Sequence, residues 1–203
     1  MVLMVLRRVI YATVAVLGIA AIVFQMVAHR IPKPESTKLP SYFLVPDFKL
    51  TERSGKTVTL SDLRGKIWVA NFFYAMCPGP CPVVNGRIAA LQDELLKNDD
   101  VRFVSISTDP DSDTPEVLRQ YADRFHASDK WLFLTGDKGQ IYKLSNEGFK
   151  LTLAGQKDPI QPILHSTKLA LVDKSGMIRQ YYDAMDDEEM KALAADVKKL
   201  LHE

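Results

Sequence analysis

Residues 66–74, KIWVANFFY, constrain this chain more than any other stretch. They form a nearly continuous apolar, β-rich run, the pattern of a strand buried on both faces. Such a strand needs a layer on each side. The next apolar positions are Val84, Ile88, Leu91 and Leu95, spaced 4, 3 and 4 apart, which is one face of a helix. The pair then repeats. Residues 101–108, VRFVSIST, read as a second buried strand. Leu118, Tyr121, Ala122 and Phe125 give a second helical face, started by Asp113 or Thr114 as cap, Pro115 in the first turn and Glu116 for the helix dipole.

The flanks complete an α/β domain. Residues 48–60 alternate around Ser54-Gly55, a hairpin signal, and WLFLTG at 131–136 is a short strand or turn entry. Residues 167–173 and 177–183 form a closing hairpin around 174–176. A last helix buries Met190, Leu193, Ala194, Val197, Leu200 and Leu201, with Asp186 to Glu189 at its start and Lys198 and Lys199 at its end. Strands alternating with helices predict a largely parallel central sheet with helices on both faces, made mixed by the hairpin. Residues 148–164 are expected to be a long irregular loop.

Ahead of this domain, twenty uncharged residues run between Arg8 and His29. At about 1.5 Å each they span about 30 Å, the hydrocarbon thickness of a bilayer. A cleaved signal peptide would have a shorter apolar region and a small-x-small site. The expectation is an uncleaved transmembrane helix at about 9–28 within an anchor, 1–30, then a Pro-rich extended linker, 31–40, and one domain, 41–203. Arg7 and Arg8 place the short side in the cytoplasm. The globular part then faces the periplasm or another extracytoplasmic side of a single-pass protein. A net charge of +1, from 26 basic and 25 acidic residues, argues against a nucleic-acid partner.

Two cysteines, Cys77 and Cys81, sit between the first strand and the first helix in AMCPGPCP. The carboxyl end of a parallel strand is where open α/β folds do chemistry, and a helix N-terminus favours thiolate over thiol. The prolines fix φ and Gly79 lets the backbone turn, so both sulfurs can converge. Cα atoms four residues apart on a helical turn are within reach of a disulfide or of one shared metal ion. A structural bridge, a metal site and a redox pair all remain open. Two thiolates rarely complete a metal site. Of His29, His126, His165 and His202, only His165 precedes a strand that could approach the cysteine loop. Two thiolates and an imidazole suit Cu(I) and accept Cu(II), and zinc would accept them with a fourth ligand.

Three blocks now carry a resemblance. FFYAMCPGPCP, SISTDPDSDTPEVLRQYADRF and ILHSTKLALVDKSG together resemble the Sco/SenC family of copper chaperones, which take part in assembling the dinuclear copper site of cytochrome oxidase. The resemblance covers about residues 40–201. It implies a thioredoxin-like fold, a mixed central sheet flanked by helices. It implies one copper ion per chain, Cu(I) or Cu(II), held by Cys77, Cys81 and His165. It also implies a reversible Cys77–Cys81 disulfide, and puts Asp109 and Asp113 in the family's paired-aspartate positions as second-sphere or partner-contact residues. Where many members carry an aspartate after the first Cys-Pro, this chain has Gly79. The implied partners are the membrane and a copper-accepting protein, such as a cytochrome oxidase subunit. The alternative is a thiol–disulfide oxidoreductase that reduces a partner's cysteines, with Cys77 attacking and Cys81 resolving. A third reading is a copper sensor or structural subunit without transfer activity.

Overall fold

The structure is a computed structural model and describes residues 17–18, 38–151 and 166–203. Residues Leu39–Glu203 form one compact unit. Among the described residues no helix is long and apolar enough to cross a membrane. The expected span at 9–28 lies outside them apart from residues 17–18.

The compact unit is built on a seven-stranded sheet in the order β2-β1-β5-β4-β3-β6-β7. Strands β1 (Lys49–Glu52) and β2 (Thr57–Thr59) are the expected hairpin, followed by the single-turn helix α1 (Leu60–Leu63). Strand β3 (Ile67–Phe73) is the apolar run, and all seven of its residues are buried. Helix α2 (Cys81–Leu95) leads to β4 (Val101–Ser107), α3 (Pro115–Asp123) and β5 (Trp131–Thr135). A short helix α4 (Lys138–Lys143) runs into a π-helical turn, Leu144–Gly148. The chain closes with β6 (Lys168–Val172), β7 (Ile178–Asp183) and α5 (Asp187–Leu201).

The sheet is mixed and flanked by helices, as expected, but it is not largely parallel. Only β3–β4 and β4–β5 run parallel. The hairpins enter on both sides: β1 joins β5 and β6 joins β3, each antiparallel. Two apolar layers cover the faces. One gathers Ile67, Val69 and Phe73 against Val84, Ile88, Leu118, Leu193 and Val197 of helices α2, α3 and α5, and it includes both cysteines. The other packs Trp68, Ala70 and Phe72 against Leu50, Leu60, Ile141, Leu144 and Phe149. Alternate residues of β3 serve alternate layers, the period-2 rule of a strand.

The loop expected at 148–164 is preceded by regular structure, and its residues 152–164 lie outside the described residues. Asp137 caps α4 by accepting from the Gln140 amide at 2.7 Å, and Ile141 and Leu144 face the core. Gly148 is the last residue of the π turn, and a Cβ there would lie 2.8 Å from Pro46 Cδ.

Candidate metal and redox site

The β3–α2 connection carries the cysteines. Cys77 closes a turn, its amide donating to Tyr74 O at 3.2 Å. Cys81 is the first residue of α2, and Pro82 occupies a first-turn position where its missing N–H costs nothing. Both thiols are buried, 6% and 2% exposed. Cys81 hydrogen-bonds to Cys77, and the buried Tyr74 phenol is close enough to feel the charge of both cysteines.

The electrostatics differ from the expectation that the helix terminus would favour thiolate at both positions. The hydrogen bond to Cys77 and burial push the Cys81 thiol far above the ordinary range. The amides of Tyr74 and Cys81 pull the other way and are outweighed. The hydrogen bond and burial win together because the Cys81 side chain lies in the core layer rather than in water. A negative charge on the pair falls first on Cys77, since Cys81 is the donor. The Tyr74 phenol is pushed up to about 12, by burial first and then by the nearby Cys77 charge.

The loop is held from the next crossover. Asp113 is 1% exposed, and its Oδ2 accepts from the Ala75 amide at 3.0 Å and from the Ser107 hydroxyl at 2.6 Å. Asp113 does not cap α3. Thr114 does, with its Oγ1 accepting from Val117 N. Burial raises the Asp113 carboxyl above its usual range, partly offset by these two bonds. Asp109 is half-buried; its carbonyl accepts from Asp113 N at 2.8 Å, and its charge is felt at both Asp113 and Tyr74.

Beneath the loop lies a polar chain that the apolar patterning of β3 hid. Trp131 Nε1 donates to Ser105 Oγ at 2.9 Å, and Ser105 donates to Asn71 Oδ1 at 2.6 Å. Asn71 Nδ2 then donates to Asn85 Oδ1 at 3.0 Å, and Asn85 Nδ2 to Tyr121 Oη at 3.0 Å. Asn85 stands one turn after Cys81 on α2, so the chain ties the cysteine-bearing helix to the sheet. The signal was present: an asparagine inside a strand buried on both faces must find a partner.

Among the described residues no group of three or more His, Cys, Asp or Glu side chains could hold a metal ion. His165 lies outside the described residues, as do His29 and residues 152–164. His126 lies three residues past the end of α3 with φ of 49°, and His202 caps α5. The described chain resumes at Ser166. The β3–β6 register pairs Trp68 with Val172 and Ala70 with Ala170. Because this pairing is antiparallel, the start of β6 lies toward the end of β3 that leads to the cysteines.

Comparison with known proteins follows this geometry. The SCO1/SenC family model matches residues 37–202. A Bacillus subtilis (strain 168) protein named SCO1 protein homolog is 30% identical over 167 residues, covering 81% of this chain and 86% of the relative. BsSco, described as having a disulfide switch and belonging to the Sco family of cytochrome c oxidase assembly proteins, superposes with a TM-score of 0.70. It is 30% identical and covers 80% of this chain and 96% of its own. ScoI of Bradyrhizobium japonicum, solved with copper bound, superposes at 0.64 with 27% identity, covering 77% of this chain and 99% of its own. With its full globular part matched in sequence and in fold, the chain belongs to the SCO1/SenC family.

Proposed function

We propose that this chain is a membrane-tethered copper carrier. It binds one copper ion through the Cys77 and Cys81 sulfurs and the His165 imidazole and passes it to a partner, in assembly of the cytochrome oxidase copper site. The observation that carries this reading is the buried, mutually hydrogen-bonded thiol pair at the end of β3. Two soft donors already in contact fit Cu(I), whose binding replaces the thiol protons. The antiparallel pairing that brings the start of β6 toward the cysteine end of β3 supports His165 as the third donor. The apolar run at 9–28 is the tether, residues 31–40 the spacer, and the domain lies on the extracytoplasmic side. The copper-bound relative and the oxidase-assembly relative support the cargo and the destination.

Cargo transfer by ligand exchange needs no turnover chemistry from the chain. Asp113 acts on the ligands indirectly, by fixing the backbone two residues before Cys77. Oxidation to the Cys77–Cys81 disulfide removes both thiolates, so the redox state of the pair gates loading.

A second reading is favoured by the Cys81-to-Cys77 hydrogen bond. In a thiol–disulfide oxidoreductase, the Cys77 thiolate attacks a partner disulfide and expels one partner thiolate. Cys81, losing its proton, then attacks the Cys77 sulfur of the mixed disulfide. The second partner thiolate leaves, and two electrons have passed to the partner.

Copper binding to the reduced protein under anaerobic conditions separates the two. In competition with a Cu(I) chelator, the carrier reading expects one tightly held ion, much weakened by His165→Ala. That substitution should spare disulfide exchange. Binding indifferent to His165, or no specific binding, would leave the oxidoreductase reading.

A further inference from the structure

The domain carries three consecutive exposed apolar side chains where its chain enters the fold: Tyr42, Phe43 and Leu44, 45%, 44% and 53% exposed. A run of this kind on one edge of a soluble domain marks a contact surface. The backbone beneath it is rigid. Tyr42 N donates to Ile178 O at 2.9 Å, Ile178 N to Phe43 O at 2.8 Å, and Val45 N to Gly176 O at 2.9 Å. The segment is thus pinned to the start of β7 with its side chains outward.

The chemistry around the run is mixed aromatic and cationic. Lys150 is held with φ of 53° and places its Nζ 5.4 Å from the centre of the Phe43 ring. Tyr42 packs on Tyr181 at 5.9 Å and its hydroxyl donates to Gln180. Arg64 and Lys174 are bound to the β6–β7 turn that receives Val45: Arg64 donates to Ser175 O, and Lys174 O accepts from Gly65 N. Beside these three cations the exposed acids are Asp47, Asp62 and Glu147, so the rim carries both signs and the apolar side chains make the contact. Aromatic rings with a polar end, a leucine and flanking Lys and Arg are the composition of a membrane–water interface.

Reach agrees. Thirteen residues separate Ala28, where the apolar run ends, from Tyr42. They span at most about 45 Å, so a tethered domain keeps this patch at high effective concentration beside the bilayer.

We propose that Tyr42, Phe43 and Leu44, with Lys150, seat the domain on the surface of the lipid bilayer. This rests on the reading of residues 9–28 as a membrane tether. It has a consequence for the site. Ile178 is level with Trp68 through Val172, at the start of β3, whereas Cys77 follows the end of β3. Seating the patch on lipid therefore turns the cysteine edge away from the membrane, toward a partner.

The test uses the full chain with Phe43→Trp in phosphatidylcholine–phosphatidylglycerol vesicles, with and without brominated acyl chains. Trp68 and Trp131 are fully buried and give the baseline. Val83→Trp, exposed on the cysteine edge, is the control. The expected result is about a twofold loss of the added emission by bromolipid for Phe43→Trp and little for Val83→Trp. Equal quenching of the two, in protein that sediments with the vesicles, overturns the seating and leaves the tether intact. Protein that does not sediment overturns the tether and the seating with it. A blue-shifted emission insensitive to bromine would mean protein covers the patch, and would equally overturn it. If that shift grew with protein-to-lipid ratio, the cover would be a second copy; if not, a segment of this chain.

Discussion

One oxygen of Asp113 joins the two loops that frame the thiols. Its Oδ2 accepts from the Ala75 amide at 3.0 Å, two residues before Cys77, and from the Ser107 hydroxyl at 2.6 Å, at the end of β4. Asp113→Ala leaves a buried amide and a buried hydroxyl without this acceptor. The expected loss is about 2–4 kcal/mol of unfolding free energy. It should come with weaker copper binding, because the turn that aims Cys77 is released. Asp113→Asn keeps an oxygen in place and should retain most of both. The pH dependence has a definite sign. Burial raises the folded carboxyl above the 3.8 of an unfolded aspartate. As pH rises past 3.8 the unfolded chain loses its proton first, so this group's stabilisation is full below 3.8 and is lost as pH rises through the folded value. Denaturant midpoints of wild type and Asp113→Asn should therefore differ by an amount that changes over that window. A constant difference would refute the assignment.

The thiol pair should alkylate asymmetrically. Cys81 is held protonated by its bond to Cys77 and by burial, above the ordinary value of 9.0. The thiolate is the reactive form, so modification of Cys81 in the folded, reduced protein should stay slow through pH 9 and above. Brief iodoacetamide pulses, read peptide by peptide by mass spectrometry, should label Cys77 ahead of Cys81. In guanidinium the two should become equivalent. Equal labelling of both cysteines in the native state would contradict the donor–acceptor order.

The Trp131–Ser105–Asn71–Asn85–Tyr121 chain predicts graded losses. Tyr121→Phe keeps the stack on Phe73, with ring centres 5.0 Å apart, and removes only the acceptor for Asn85 Nδ2. It should cost about 1–3 kcal/mol. Asn85→Ala strands the Asn71 amide and the Tyr121 hydroxyl together and should cost more. Because the groups share one network, the double variant should fall short of the sum of the singles. Chemical unfolding of the three proteins measures this, and strict additivity would mean the bonds act separately.

That network also shows where sequence reading stops. The strands and long helices were legible because periodicity is a local property: β3 by its unbroken apolar run, α2 by Val84, Ile88, Leu91 and Leu95, and α5 by its charge polarity. Three things were not. Helix α4 and the π turn after it are too short to build a periodic face, although Asp137, Ile141 and Leu144 carried a cap and two core positions. The antiparallel insertion of β1 beside β5 and β6 beside β3 is decided by nonlocal pairing, which alternation of elements cannot express. The cap of α3 was ambiguous because Asp113 and Thr114 satisfy the same local rule. The distant Ala75 amide and Ser107 hydroxyl draw Asp113 inward, and Thr114 takes the cap. For the site, the cysteine positions were readable from the strand–loop–helix pattern, and Tyr74 as a neighbour of Cys77 was not. His165 lies outside the described residues, so its part in the site rests on the resemblance and on the copper titration.

Arg179 offers the last prediction, at the point where the chain enters the domain. Its guanidinium is nearly buried and makes four contacts. Nε donates to Pro40 O at 2.7 Å and Nη2 to Leu39 O at 2.8 Å, while Nη1 reaches Asp173 and Glu203, each at 3.0 Å. A planar fork with five donors can serve four acceptors at once, and an ammonium cannot match it. Arg179→Lys should therefore release Leu39 and Pro40 and speed proteolysis just after Lys38, with little change at the copper site. Acid should act in the same direction on the wild type. Burial raises the Asp173 carboxyl, but the bonds from Ser175, Met177 and Arg179 outweigh it and leave the group below 3.8. Its stabilisation is present above 3.8 and lost as pH falls through the lower folded value. Limited digestion with pepsin across that range should cut wild type near residues 38–44 only at the acid end, and Arg179→Lys throughout. Cleavage of the two proteins at the same rate at every pH would show that Arg179 does not hold the entry segment.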